Sequence, residues 1–345
     1  MKERIVSFDA LRSFFILSII LYHTDIVGKR FLSQGYLAVE MFFVLSGFLL
    51  ANSYFKHRII LESYNLFKEM IWHKIKRLYP EYLFTTVLVF IIYTVFFHIH
   101  GLSRYIFWNL IMYGHLGLAP NIVDGSWYVG ALFWGTFVTL ALMIKYREGF
   151  FISAPLLFLS SCILLFHANN TSLMSTARLV LNIFPFGFLR AIAGLSMGVI
   201  AYYVYQNKWL QNKILNVFIL IITLISTYLL LDNNRPSETV YNIYFLALFL
   251  ILSSATLDRH MQMLFDNKFF QYLAKISYMV FLTNILVLKI IAKYIAYFPL
   301  INKNICIIFA VFSCFAFAAL CYHMQKWLFI KLKQILFIPQ SSHVE

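Results

Sequence analysis

The sequence is poor in charge. Only 12% of its 345 residues are Asp, Glu, Lys or Arg, against the roughly 25% that a soluble domain needs to cover its surface. With 61% hydrophobic and 19% aromatic residues, that deficit excludes a water-soluble globular chain. Cysteine is also sparse: Cys162, Cys306, Cys314 and Cys321 all lie inside apolar runs, with no CxxC spacing and no neighbouring histidine cluster. Neither a disulfide framework nor a metal site is expected, and the four thiols read as packing groups. The chain also lacks an internal repeat, a low-complexity tract and a long linker, and no stretch is left over for a soluble domain.

What recurs instead are apolar runs of roughly 18 residues or more, each long enough to cross about 30 Å of hydrocarbon as a helix. Ten spans are expected, near residues 8–27, 36–54, 79–98, 126–144, 150–167, 184–205, 214–231, 240–256, 270–292 and 304–328. The less apolar stretch 101–120 carries Gly and Pro and reads as a long loop with a short interfacial or re-entrant helix. The fold class is thus an all-α integral membrane protein of about ten transmembrane helices. Residues 5–330 read as a single transmembrane domain, and 331–345 as a short basic and polar tail.

The net charge of +14 would suggest nucleic acid in a soluble protein. Here Lys and Arg cluster in short loops between apolar runs, a pattern that reports orientation in the membrane, so the expected partner is the lipid bilayer and not nucleic acid. Eighteen of the 28 fall on one set of alternate loops and eight on the other, with Arg12 and Arg190 inside spans. The more basic side is expected to be cytoplasmic, which places both termini there and agrees with an even number of spans. The opening "MKERIVSFDALR" resembles a secretory signal, but no small-residue cleavage site follows His23, and Asp9 and Arg12 lie within the run. A retained first span is expected.

Within that span, Arg12 and His23 bracket "SFFILSIILY". Eleven residues correspond to about 1100° of helical rotation, so the two side chains fall within roughly 20° of one face and about 16 Å apart. Ile16 and Ile19 lie on the same stripe, and Asp9, one turn before Arg12, is placed to pair with the guanidinium. A lone membrane histidine often only holds helices together. A stripe with a cation at its cytosolic end also suits a channel admitting an elongated anionic ligand and delivering its far end to an imidazole. Acyl-coenzyme A has that shape.

"SFDALRSFFILSIILYH" followed by "GYLAVEMFFVLSGFLL" resembles the opening of the acyltransferase-3 family, multi-spanning enzymes that acylate surface and secreted glycans. "HKIKRLYPEY" is similar to the basic segment entering the family's third helix, with Lys74 where the family often has arginine, a change that keeps charge but not bidentate phosphate binding. "DGSWYVGALFW" resembles the family's Trp-containing segment without the acid common a few positions later. "GFLRAIAGLSMGVIAYY" resembles its Arg- and Gly-rich sixth helix, and "LAKISYMVFLTN" a late segment in which Asn284 stands where histidine is usual. No appended extracytoplasmic hydrolase-like domain is expected. The resemblance implies transfer of an acyl group, most often acetyl, from cytosolic acetyl-CoA or another acyl-CoA to a hydroxyl of a membrane-associated carbohydrate, as in O-acetylation of O-antigen or exopolysaccharide at a bacterial inner or plasma membrane. It assigns His23 as the essential histidine and Arg12 as its paired arginine.

Such a transfer needs a base for the hydroxyl proton and stabilisation of an oxyanion. A neutral imidazole at His23 suits the base, while a covalent acetyl-imidazole remains the competing route. Glu40, four residues into the second span, is expected to orient His23 and is preferred to Asp25, which projects about 160° away; a carboxylate exposed to headgroups is its plain alternative. Lys74, Lys76 and Arg77 are placed for coenzyme A phosphates, or for ordinary positive-inside charge. Trp127 and Tyr128 read as acceptor-binding groups, Trp127 by sugar stacking, or as an aromatic belt, and Arg190, buried in span six, requires a partner, which an acceptor carboxylate, a phosphate or a protein acid would each supply. Ser46 in "SGF" reads as close helix packing or catalysis, and of Tyr278 and Asn284 at most one faces a shared cavity. His98 and His100 lack a third ligand, so no metal is expected. A proton-coupled transporter or flippase built on Arg12, Glu40 and His23 is the alternative reading.

Overall fold

The computed structural model describes residues 4–28, 30–58, 62–113, 120–169, 173, 179–181, 183–234, 238–295 and 302–336. The loop cations Lys29, Arg178 and Arg235, and the tail beyond residue 336, lie outside the described residues. Apolar segments in hydrocarbon must satisfy their backbone groups internally, and this chain does so with helices. They are α1 (Ser7–His23), α2 (Ala38–His57), α3 (Ser63–Val95), the short α4 (Ile106–Leu110), α5 (Trp127–Tyr146), α6 (Gly149–Asn169) and α7 (Phe186–Gln206). There follow α8 (Lys213–Asp232), α9 (Ile243–Thr256), α10 (Asp258–Phe265), α11 (Lys268–Ile295) and α12 (Lys303–Leu336). A two-stranded antiparallel hairpin pairs Leu179 with Pro185 and Val180 with Phe184 before α7.

Among the described residues nine helices are long and apolar enough to cross a membrane, or ten if the bent pair of α9 and α10 is counted as one span. That pair turns by 84° between Thr256 and Asp258. The turn is tied to the start of α1: the Ser7 N–H donates to Asp258 Oδ1 at 2.8 Å and the Ser7 hydroxyl to the Ser254 carbonyl at 3.0 Å. Asp258 thereby satisfies one of the orphan donors at the α1 N-terminus.

Two expected boundaries move. Residues 55–78 read as a loop because charges interrupt the apolar run, yet α3 begins at Ser63 and reaches Val95. Its first turns are amphipathic, burying Leu66 while Lys68 and Lys76 stay exposed, so Lys74, Lys76 and Arg77 sit on a helix. Similarly, α12 continues past 328 to Leu336.

The centre of the bundle is α2 against α7, with 78% of each apolar window enclosed by protein, against 22% for the peripheral α8. Small residues set this contact. A β-carbon at Gly47 would collide with the Leu195 backbone, and one at Gly198 with the backbone of Val44 and Phe48. In lipid, where apolar burial gives little drive for association, such close backbone approach supplies the packing energy.

Candidate active site

A cavity of about 1160 Å³ lies between α1, α2, α3, α5, α11 and α12, at the end of the bundle where α1, α3 and α11 begin. Seven Lys and Arg side chains line it, against the three carboxylates of Asp9, Glu69 and Glu81. Asp9 serves two cations at once: Arg4 Nε donates to its Oδ2 at 2.7 Å and Arg12 Nη1 to its Oδ1 at 3.3 Å. Lys74 instead donates to a neutral group, the Thr136 hydroxyl, at 2.6 Å. Among the described residues neither Lys74 nor Arg77 is in ion-pair contact with a carboxylate. Uncompensated positive charge in a low-dielectric recess focuses a strong field and selects a polyanion.

Seven of the residues singled out in the sequence, Arg12, Ser46, Lys74, Lys76, Arg77, Tyr128 and Tyr278, line this cavity. Asn284 does not; its amide turns back on the Val280 and Phe281 carbonyls of its own helix, at 3.2 and 2.6 Å. The inner wall is aromatic. Tyr128 packs against Phe43 and Phe281 with ring centroids 4.8 and 4.9 Å away, and against Phe42 at 6.2 Å.

His23 lies beyond that wall. The cavity takes Arg12 as its last residue on α1, whereas Ile16 and Ile19, between Arg12 and His23, are 0% and 2% exposed in the packed core. The face shared by Arg12 and His23 is therefore filled with side chains over its middle. His23, at the C-terminal end of α1, is half-buried, with its ring 4.8 Å from that of Tyr22. Among the described residues neither of its ring nitrogens has a hydrogen-bond partner.

The carboxylates near enough to act on His23 are Asp25 and Asp124. Asp25 is held by Arg30. Asp124 accepts from Lys289 Nζ at 2.6 Å and from the Tyr93 hydroxyl, which itself lies 3.1 Å from Lys289 Nζ. This cluster joins the far ends of α3 and α11, the helices that carry Arg77 and Tyr278 at the cavity. Asp124 appears in the sequence only inside "DGSW", and nothing there reveals its link to Tyr93 and Lys289, residues far away along the chain.

Glu40 has other partners than the histidine assigned to it from the sequence. It is fully buried and paired with Arg190, whose Nε donates to Glu40 Oε1 at 2.7 Å, while the Tyr244 hydroxyl donates to Oε2 at 3.0 Å. Arg190 in turn sits over the Trp127 ring, 4.4 Å from its centroid. The anion that Arg190 requires is therefore a protein carboxylate, and one face of Trp127 is covered by guanidinium. Glu40 and Trp127 are thus both in contact with Arg190. The cluster binds α2, α5, α7 and α9 together beside the cavity.

Comparison with known proteins agrees with this architecture. A 97-residue stretch, 28% of the chain, is 31% identical to the peptidoglycan O-acetyltransferase OatA of Listeria monocytogenes and covers 15% of that protein's length. No solved structure matches. The family described as Acyltransferase domain matches residues 5–324. A bundle of apolar helices with a cationic recess, matched over nearly its whole length, belongs to the acyltransferase-3 family of multi-pass membrane acyltransferases.

Proposed function

We propose that the protein is an O-acyltransferase that moves an acyl group, acetyl in the simplest case, from cytosolic acyl-coenzyme A to a hydroxyl of a cell-surface carbohydrate or its lipid-linked precursor. The observation that carries this reading is the cavity, where Lys74 and Arg77, neither in ion-pair contact with a carboxylate among the described residues, line the same wall as Arg12 in a chain of an acyltransferase family. In this reading the cationic mouth faces the cytosol, which the positive-inside count supports. The resemblance of a segment to a peptidoglycan O-acetyltransferase supports a glycan hydroxyl as acceptor.

In this reading the donor's phosphates rest on Lys74 and Arg77, and Arg12 holds the inner part of the same wall. The thioester end is directed at the ring layer of Phe42, Tyr128 and Phe281. Beyond it His23, whose ring nitrogens have no hydrogen-bond partner among the described residues, takes the acceptor's hydroxyl proton as the oxygen attacks the thioester carbonyl, and passes it to the departing sulfur. The thiol of coenzyme A leaves and the acyl oxygen bond forms. Meeting of the two substrates requires the ring layer to part locally, the kind of motion that gates many enzymes.

His23→Ala is expected to lower glycan acylation by roughly 10²- to 10⁴-fold, the contribution of a positioned base, with the protein still in the membrane. Mass spectrometry of surface glycans from cells with the wild-type gene, the variant or neither measures this directly. Full acylation by the variant would remove His23 from the chemistry.

A further inference from the structure

Deep in the cavity two polar atoms lack partners. Glu81 Oε2 and the Tyr278 hydroxyl are both buried without a hydrogen bond among the described residues, although both side chains line the cavity. They belong to one cavity lining, Glu81 from α3 and Tyr278 from α11. The cations that act on Glu81, Arg77 and Lys326, are not in ion-pair contact with it.

Their depth is informative. On α3 the order is Lys74, Arg77, Glu81, so the carboxylate lies one turn, about 6 Å, beyond Arg77. On α11 Lys268 and Lys275 precede Tyr278 in the same way. Positive charge thus lines the mouth from both helices, and an acceptor beside a hydroxyl follows from both. A buried carboxylate oxygen without a donor is disfavoured in a resting protein. Phosphate cannot fill the gap, since like charges repel. What fits is a neutral group presenting an N–H or O–H to Glu81 and a carbonyl oxygen to Tyr278.

We infer that Glu81 and Tyr278 form a binding station for the uncharged, amide-bearing arm of the acyl donor, Glu81 accepting from an N–H or hydroxyl and Tyr278 donating to an amide carbonyl. The inference rests on the donor reading above and adds the determinant that distinguishes coenzyme A from its nucleotide end alone. In coenzyme A such an arm joins the phosphates to the sulfur, the same order in which the cavity presents cations and then this pair. Neither residue takes part in bond making; both fix how far the thioester reaches.

The test is calorimetric titration of the purified full-length protein in lipid nanodiscs with coenzyme A and with 3′-phosphoadenosine 5′-diphosphate, which has all three phosphates but no arm. Wild type is expected to bind coenzyme A more tightly than the nucleotide. Glu81→Leu and Tyr278→Phe are each expected to weaken coenzyme A by roughly 10- to 100-fold, the range for a hydrogen bond to a charged or buried partner, with nucleotide binding unchanged. Ligand-free Glu81→Leu is expected to melt at or above the wild-type temperature, because it removes an unpaired buried acceptor. Unchanged coenzyme A affinity in both variants, or equal loss of both ligands, would overturn the inference and leave the donor reading standing. A wild type that binds neither ligand would overturn both.

Discussion

Among the described residues Arg190 is the largest fully buried side chain, and its charge is tolerated because Glu40, itself bonded by Tyr244, and the Trp127 face lie against it. Removing one member of a buried ion pair leaves the other uncompensated, at about 3–5 kcal/mol, whereas replacing both with apolar groups is often close to neutral. Glu40→Leu and Arg190→Met are therefore each expected to lower the thermal stability of the purified protein severely, and the double variant to recover most of the loss. A strictly additive double-mutant cycle, measured by thermal unfolding in detergent, would contradict the coupling. The sequence shows that Arg190 needs an anion, and it shows that Glu40 lies at a compatible depth. It does not show azimuth: which face of α2 meets α7 is decided by Gly47, Gly194 and Gly198, whose missing side chains bring those helices into backbone contact. Hence Arg12 is legible from spacing along one helix, and Lys74 and Arg77 from a basic segment at the entrance of a span, while the partner of Glu40 is not.

At the scale of elements, the loop ahead of α5 depends on one buried side chain. Asn109, on the short helix α4, accepts from the Ile122 N–H at 2.9 Å and donates to the Pro120 and Tyr105 carbonyls at 3.1 and 2.9 Å. Its own carbonyl receives the Tyr82 hydroxyl of α3 at 2.7 Å. This fixes residues 120–123 against α3 and so places Asp124 beside Tyr93 and Lys289. Asn109→Ala leaves buried backbone groups unpaired and is expected to destabilise by about 2–4 kcal/mol. It should also loosen Asp124, seen as faster hydrogen exchange at residues 120–124 than in wild type. Unaltered exchange there would show that the loop is held by other contacts. A short helix in 101–120 is readable from composition, whereas the role of Asn109 is not, because its partners are backbone atoms that only the folded loop presents. The early start of α3 escapes a hydropathy reading for a related reason: its first turns carry charge on one face and Leu66 on the other.

For the whole molecule, the helices α1, α3 and α11 each run from the cationic cavity to the far-end group of His23, Tyr93, Lys289 and Asp124. The number of spans and their membrane character follow from length and hydropathy. The break between the two ends does not, since Ile16 and Ile19 look the same in sequence whether they face a passage or a packed core. Between the ends stand the rings of Phe42, Phe43, Tyr128 and Phe281, in contact at 4.8 to 6.2 Å. Aromatic rings packed in contact present a layer of low dielectric, which charges cross only at high cost. On the proposed reading, rings that part only around the passing acyl donor and are closed at rest keep the cell's energised membrane from short-circuiting. Vesicles reconstituted with it are accordingly expected to hold an imposed proton gradient as long as empty vesicles do, read with an internal pH dye, and Phe281→Ala is expected to make them leak.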